Sequence, residues 1–262
     1  MFLTALLLLT VVFAEQICPY DPNAQDTGAA LLPPGAGHLA GTDRFGRDML
    51  SRILVGLKTS VTSTLILVVV VTVTGSILGL ICGYFGGIAD TVIMRISDIC
   101  LAFPGLDFAM AIAALLNGGI SNAVLALALI SWPKYARIAR SQTLTVKNTN
   151  YMAASQLAGC TAAQMIWRHI LPNIAGPILV TSMLDIGTMM MELAGLSFLG
   201  LGAQPPTAEL GNMMSGGRSM LQTYPWGCNW PGDLLFLQRL LIFNLLGDAM
   251  RDYLDPHNGR KQ

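Results

Sequence analysis

Two carboxylates, Asp185 and Glu192, interrupt the otherwise uncharged run from Asn173 to Leu193. A separation of seven residues is about two helical turns, so the pair shares one face, and Met189 lies on that face as well. Acids inside an apolar helix are costly and usually face a cavity or a partner. A carboxylate, a thioether and a second carboxylate along one face could line a translocation path for a metal cation or its chelate. No His or Cys accompanies them, which suits a conduit that must release what it binds. The same groups could instead hydrogen-bond to a partner subunit, or cap a helix broken near Gly187 and Gly195.

A second constellation is basic. Lys134, Arg137, Arg140, Lys147 and Arg168 stand between residues 134 and 169 with no acid among them, which reads as a water-exposed loop. Inside it, Tyr151-Met-Ala-Ala-Ser-Gln-Leu-Ala-Gly159 precedes His169-Ile-Leu-Pro172. The spacing predicts helix, glycine turn, helix: Ala153, Ala154, Leu157 and Ala158 put small side chains on a short helix, Gly159 supplies a turn, and Pro172 is tolerated where a new helix begins. Such a helix could press into a groove on a soluble partner.

Other chemistries lack their residues. The nearest approach to a phosphate-cradling loop, Gly56-Leu57-Lys58-Thr59, has no glycine before the lysine, and neither H-E-x-x-H nor G-x-S-x-G occurs. The chain therefore reads as no enzyme, with no cofactor implied. His38, His169 and His257 lie in three different segments, and Cys18, Cys82, Cys100, Cys160 and Cys228 show no C-x-x-C spacing, so no metal site is expected. The 15 Lys plus Arg balance 15 Asp plus Glu, which leaves no basic surface for nucleic acid.

The elements that must position these groups are apolar. Of the 262 residues 53% are hydrophobic and 11% charged, against about 25% charged in soluble domains. A bilayer core needs about 20 apolar residues per helix, and on that ruler six spans emerge in an all-α membrane protein. The first, within 1–19, is short and reads as a clipped span; Val12-Phe13-Ala14 before Glu15 resembles a signal-peptidase site, but no Lys or Arg precedes Arg44. Residues 20–58 form an extracytoplasmic segment. Residues 59–247 form the transmembrane domain, with a cytoplasmic loop at 134–172, and 248–262 a cytoplasmic tail. The second span runs from about Thr59 to Cys82 and ends on Gly75, Gly79 and Gly83, whose four-residue spacing lets another helix approach closely. The third and fourth lie between Ile99 and Trp132 around the turn Asn117 to Asn122, the fifth from about Asn173 to Leu193, and the last near Trp230 to Leu246, interrupted by Asp233, Gln238 and Arg239. With the amino terminus inside, inner segments hold nine Lys or Arg and outer segments five, which obeys the positive-inside rule.

Residues 151–172 resemble the cytoplasmic coupling loop of ABC importer permeases, which docks on the ATPase subunit. Ala153 stands where that family often has glutamate, and Ser155 where it has alanine. Further segments are similar to the nickel, dipeptide and oligopeptide branch: Pro19-Tyr20-Asp21-Pro22, Gly41-Thr-Asp-Arg-Phe-Gly-Arg-Asp48, Gly83-Tyr-Phe-Gly-Gly87, Met94-Arg-Ile-Ser-Asp98, Tyr135-Ala-Arg137, Leu196-Ser-Phe-Leu-Gly-Leu-Gly202, Asn244 to Asp252 and Leu254-Asp-Pro256. The resemblance implies a type I ABC importer permease fold in the cell inner (plasma) membrane. It also implies a second permease subunit as heterodimer partner, two ATP-binding subunits and an extracytoplasmic solute-binding protein. The coupling residues carried over are Ala153, Ala154, Ser155, Gly159, His169 and Pro172. Leu184 to Met190 and Pro206-Thr-Ala-Glu209 look more like nickel-type permeases, so nickel or its chelate is the expected solute and a di- or oligopeptide the alternative, with a passive channel as the rival reading. Leu210 stands where the family usually has tryptophan. Asp43, Arg44, Arg47 and Asp48 could receive the binding protein or close ion pairs on a solvated turn.

Overall fold

A computed structural model describes residues 9–218 and Tyr224. The last expected span, its interrupting polar residues and the tail lie outside the described residues, as does the start of the first span.

The described chain is helical, with α1 at Ala14–Ile17, α2 at Met49–Phe85, α3 at Gly87–Ala102, α4 at Gly105–Leu115, α5 at Ile120–Lys147, α6 at Asn150–Leu157, α7 at Ala162–Gln164, α8 at Leu171–Phe198 and α9 at Leu210–Gly217. Two continuous helical runs, Met49–Phe85 and Ala162–Phe198, are long and apolar enough to cross a bilayer, and α3 with α4 makes a third such unit bent by 95°. Helix α2 is longer than the span expected from Thr59. The Asp48 carboxylate accepts from the Ser51 amide and hydroxyl at 2.8 and 2.7 Å, an N-cap that starts the helix ten residues earlier than the uncharged run does. Arg52 and Lys58 thus ride on the helix.

The glycine spacing does what small residues at i, i+4 and i+8 can do. A β-carbon at Gly75, Gly79 or Gly83 would stand 2.6 Å from the Trp132 carbonyl oxygen, 2.2 Å from that of Ala136 and 2.7 Å from Thr143 Cβ. Helix α5 therefore lies directly against the α2 backbone. Val68 and Val71 face the packed side while Val69 and Val73 are exposed, as a lipid-bordering helix requires. Leu67, Leu127, Ile130, Tyr135, Ile174 and Leu193 belong to the core that joins α2, α5 and α8.

The basic stretch is not a loop at its start. Helix α5 runs through Pro133 to Lys147, with only Asn148 and Thr149 separating it from α6. Proline forfeits one hydrogen bond within the helix. Burial of Pro133 against its neighbours keeps the helix in register. Pro172 stands in the first turn of α8, a place that tolerates proline. A π-helical turn, Met165–Ile170, leads into α8 from α7, and its wider hydrogen-bond pattern accommodates the missing amide of Pro172 inside one continuous run.

Candidate functional site

Each of the two long internal helices carries one member of a charged pair fourteen residues from its start, Lys134 in Ile120–Lys147 and Asp185 in Leu171–Phe198. At about 1.5 Å per residue both lie about 21 Å along their helices, far from either end. The Lys134 ammonium donates to both Asp185 carboxylate oxygens at 2.6 and 2.8 Å, and the Tyr135 hydroxyl donates to the second at 2.9 Å. Tyr135 is fully buried and the Asp185 side chain 8% exposed, whereas the Lys134 side chain is 51% exposed. The expected path acid is therefore held from behind by a phenol and covered in front by a cation. Met189 is buried one turn beyond it. Glu192, half-buried a further turn on, lies within electrostatic range of both Asp185 and Lys134. Local spacing placed the three α8 residues on one face; it carried no signal for Lys134, which comes from 51 residues away.

The remaining cations of α5 are also engaged. Arg140 makes a two-pronged pair with Asp90, Nε to Oδ1 at 2.5 Å and Nη2 to Oδ2 at 2.6 Å. Arg137 donates to Asp98 at 2.6 Å. Lys147 donates to the Tyr84 carbonyl at 2.7 Å and sits 5.5 Å from that ring's centroid. Helix α3 thus supplies the acids that the basic stretch lacks. A ladder of ion pairs zips α3 to the extension of α5.

Beyond this ladder hangs the tip. In α6 Met152 is buried, while Ala153, Ala154 and Gly159 are exposed and Ser155 is half-buried with its hydroxyl donating to the Tyr151 carbonyl at 2.9 Å. Gly159 has φ 84°, a left-handed turn that an L side chain resists. Thr161 and Gln164 form a capping box that starts α7. His169 lies half-buried in the π turn, its carbonyl accepting from the Asn173 side chain at 2.6 Å, and Pro172 is exposed. Two large apolar side chains project without cover: Leu157 is 91% exposed and Trp167 70%. The sequence reading counted Leu157 only among the small side chains of this helix and gave Trp167 no role.

At the opposite end, Asp43, Arg47 and Asp48 are buried and not part of a solvated turn; Arg44 alone of the four is exposed. Arg47 pairs with Asp43 at 2.6 Å. Asp48 also meets His38 Nδ1 at 2.8 Å, and Arg52 donates to the Pro22 carbonyl at 3.0 Å. This network ties residues 20–48 onto the start of α2. Glu209, fully buried, accepts from the Ser60 hydroxyl and the Asn212 amide, each at 2.9 Å, and so fastens α9 to α2. Leu210, in the place of the expected tryptophan, packs with Leu57 and Met190.

Residues 75–260 match the family described as binding-protein-dependent transport system inner membrane component. The probable D,D-dipeptide transport system permease protein DdpC of Escherichia coli (strain K12) is 44% identical over 257 residues, 98% of this chain and 86% of that protein. The dipeptide transport system permease protein DppC of Haemophilus influenzae is 42% identical, covering 95% of this chain and 86% of the relative. The nickel transport system permease protein NikC of Escherichia coli (strain K12) is 37% identical, over 98% and 92%. Among solved structures, a chain of the inward-facing MetNI methionine ABC transporter superimposes with a TM-score of 0.62 at 17% identity, over 79% of this chain and 97% of that one, a likeness of fold.

Proposed function

From the premise that the chain belongs to the binding-protein-dependent transport system inner membrane component family, as a non-catalytic permease subunit of an ABC importer, we propose that its solute is a short peptide. The observation that carries this reading is the condition of Asp185. An acid meant to pass a bare divalent cation would need an open carboxylate, and both oxygens of Asp185 already accept from Lys134 or Tyr135. Relatives named for dipeptide transport also share more identity with this chain than the nickel relative does. Glu209, which leaned towards nickel, serves Ser60 and the N-terminus of α9.

The tip is the cytoplasmic docking element. Leu157 and Trp167 are the apolar anchors offered to an ATP-binding subunit, on a frame shaped by Ala153, Ala154, Ser155, Gly159, His169 and Pro172. The opposite end, with residues 20–58, faces outward to a solute-binding protein. A second permease subunit completes the path, with two ATP-binding subunits beneath it, in the cell inner (plasma) membrane.

ATP-driven uptake into proteoliposomes holding the whole complex, supplied with its binding protein, tests the solute. Labelled dipeptide should accumulate and radioactive nickel should not compete with it; accumulation of nickel or its chelate in place of dipeptide would sink the peptide reading.

A further inference from the structure

We propose that a cavity between residues 43–52 and α9 is a carboxylate-binding socket that takes one acidic side chain of the solute-binding protein. The inference rests on the outward placement of residues 20–58 given above and adds the group by which that partner is held.

The cavity measures about 130 Å³ and is walled by Asp43, Arg44, Arg47 and Arg52 on one side and by Pro205 and α9 on the other. Beside it lies an open basin of about 560 Å³ that shares Arg44 and adds Arg218. Four guanidiniums and a single carboxylate therefore line the two. That carboxylate is already engaged. Asp43 Oδ2 receives Nε and Nη2 of Arg47 at 2.6 Å each, and Oδ1 accepts from the Phe45 and Arg47 amides at 2.8 and 3.0 Å. Asp48, close by in the chain, serves His38 and Ser51. The cations are crowded: the Arg44 and Arg47 guanidiniums both lie over the Phe45 ring, 4.7 and 4.6 Å from its centroid. Arg52, its side chain 4% exposed, directs Nη1 at the Pro22 and Pro206 carbonyls at 3.0 and 3.4 Å, while Nη2 has no partner among the described residues. A buried guanidinium with donors to spare, beside two further guanidiniums, suits an anion with two oxygens.

Size and position select the bearer of that anion. Sites for whole small solutes measure roughly 300 Å³ or more and enclose most of the ligand. This cavity takes only the end of a side chain, and the basin beside it is open, so the carboxylate arrives on a larger body. Helix α2, 37 residues and about 55 Å long, leads from the cavity at Met49 to Tyr84, whose carbonyl receives Lys147 beside the docking tip. Its uncharged stretch starts only at Thr59. The cavity thus lies at the polar end opposite the tip and not along the apolar helix faces on which a second permease subunit packs. A cationic basin at that end gathers acidic surfaces from water, and the protein that arrives there is the solute-binding protein.

The readout is the affinity of the purified binding protein for the whole complex in nanodiscs, measured at rising ionic strength. Arg44 is exposed, so Arg44→Glu should leave assembly and the unfolding midpoint in place, weaken binding about tenfold and remove most of its salt dependence. Uptake should fall when binding protein is limiting and recover when it is saturating. Arg44→Lys should keep most of the affinity, and one acid-to-lysine change on the binding protein should restore its hold on the Arg44→Glu complex. Should Arg44→Glu fail to assemble, Arg44→Gln is read the same way. Loss of the second permease subunit from both variants would assign the cavity to that subunit, and uptake that stays low at saturating binding protein with affinity unchanged would assign it to the solute; either overturns the proposal. Wild-type complex that takes up no binding protein on its outer side would refute the outward reading together with this inference. Tight binding untouched by Arg44→Glu refutes this inference alone.

Discussion

The middle of the molecule and its tip handle polar and apolar groups in opposite ways. Along α5, Lys134, Arg137, Arg140 and Lys147 each find an acceptor within the chain, on α8, α3 and α2. At the tip, Leu157 and Trp167 project into solvent and α6 buries only Met152. A surface whose charges are internally matched is built to stay as it is. A surface that leaves a leucine and a tryptophan uncovered is shaped for another protein. The contrast predicts that substitutions in the middle change stability and those at the tip change coupling.

The largest effect should come from Asp185→Ala, which strands a half-buried ammonium and a buried phenol. Leaving the buried Tyr135 hydroxyl without this acceptor costs about 1–3 kcal/mol, to which the half-exposed ammonium adds a solvent-screened share, so the complex should show a lower midpoint of thermal unfolding in detergent and poor assembly. Gly79→Val comes next. Its side chain meets the Ala136 carbonyl, which cannot yield, and about 1–3 kcal/mol of overpacking should appear as reduced stability with a splayed α2–α5 pair, measurable by cysteine cross-linking between them. Leu157→Asp should do the reverse, leaving the unfolding midpoint in place while uptake and solute-stimulated ATP hydrolysis fall about tenfold, the worth of one anchor of about 1.4 kcal/mol. If Leu157→Asp instead unfolds the chain, the division between middle and tip fails. Arg140→Gln removes one partly exposed pair and should cost about 1 kcal/mol. Arg95→Gln, whose 3.8 Å contact with Asp98 is largely exposed, should change unfolding by less than about 0.5 kcal/mol.

Much of this was legible in residue spacing. The Gly75, Gly79 and Gly83 face, the turn near Asn117 and the left-handed Gly159 follow from local rules, and the structure has each. The end of the fourth span at Trp132 misled: the change to basic residues marks where the chain turns polar, whereas the helix runs on through Pro133 to Lys147. The partners of the cations were not legible at all. Asp98, Asp90 and Asp185 are 39, 50 and 51 residues from the groups they meet, and no periodicity reaches that far. Nor could composition show that Asp185 would be covered by a lysine, the fact on which the choice of solute turns.

The distance between Lys134 and Asp185 along the chain is also an interval of time. A ribosome adding roughly 5–20 residues per second places Lys134 some 3–10 s ahead of its partner. Asp90 and Asp98 precede the arginines they will meet, so those cations find their acids already made. Of the α5 cations, Lys134 alone must wait. During synthesis it is a charge without its acid, and only when α8 arrives does it become half of a pair.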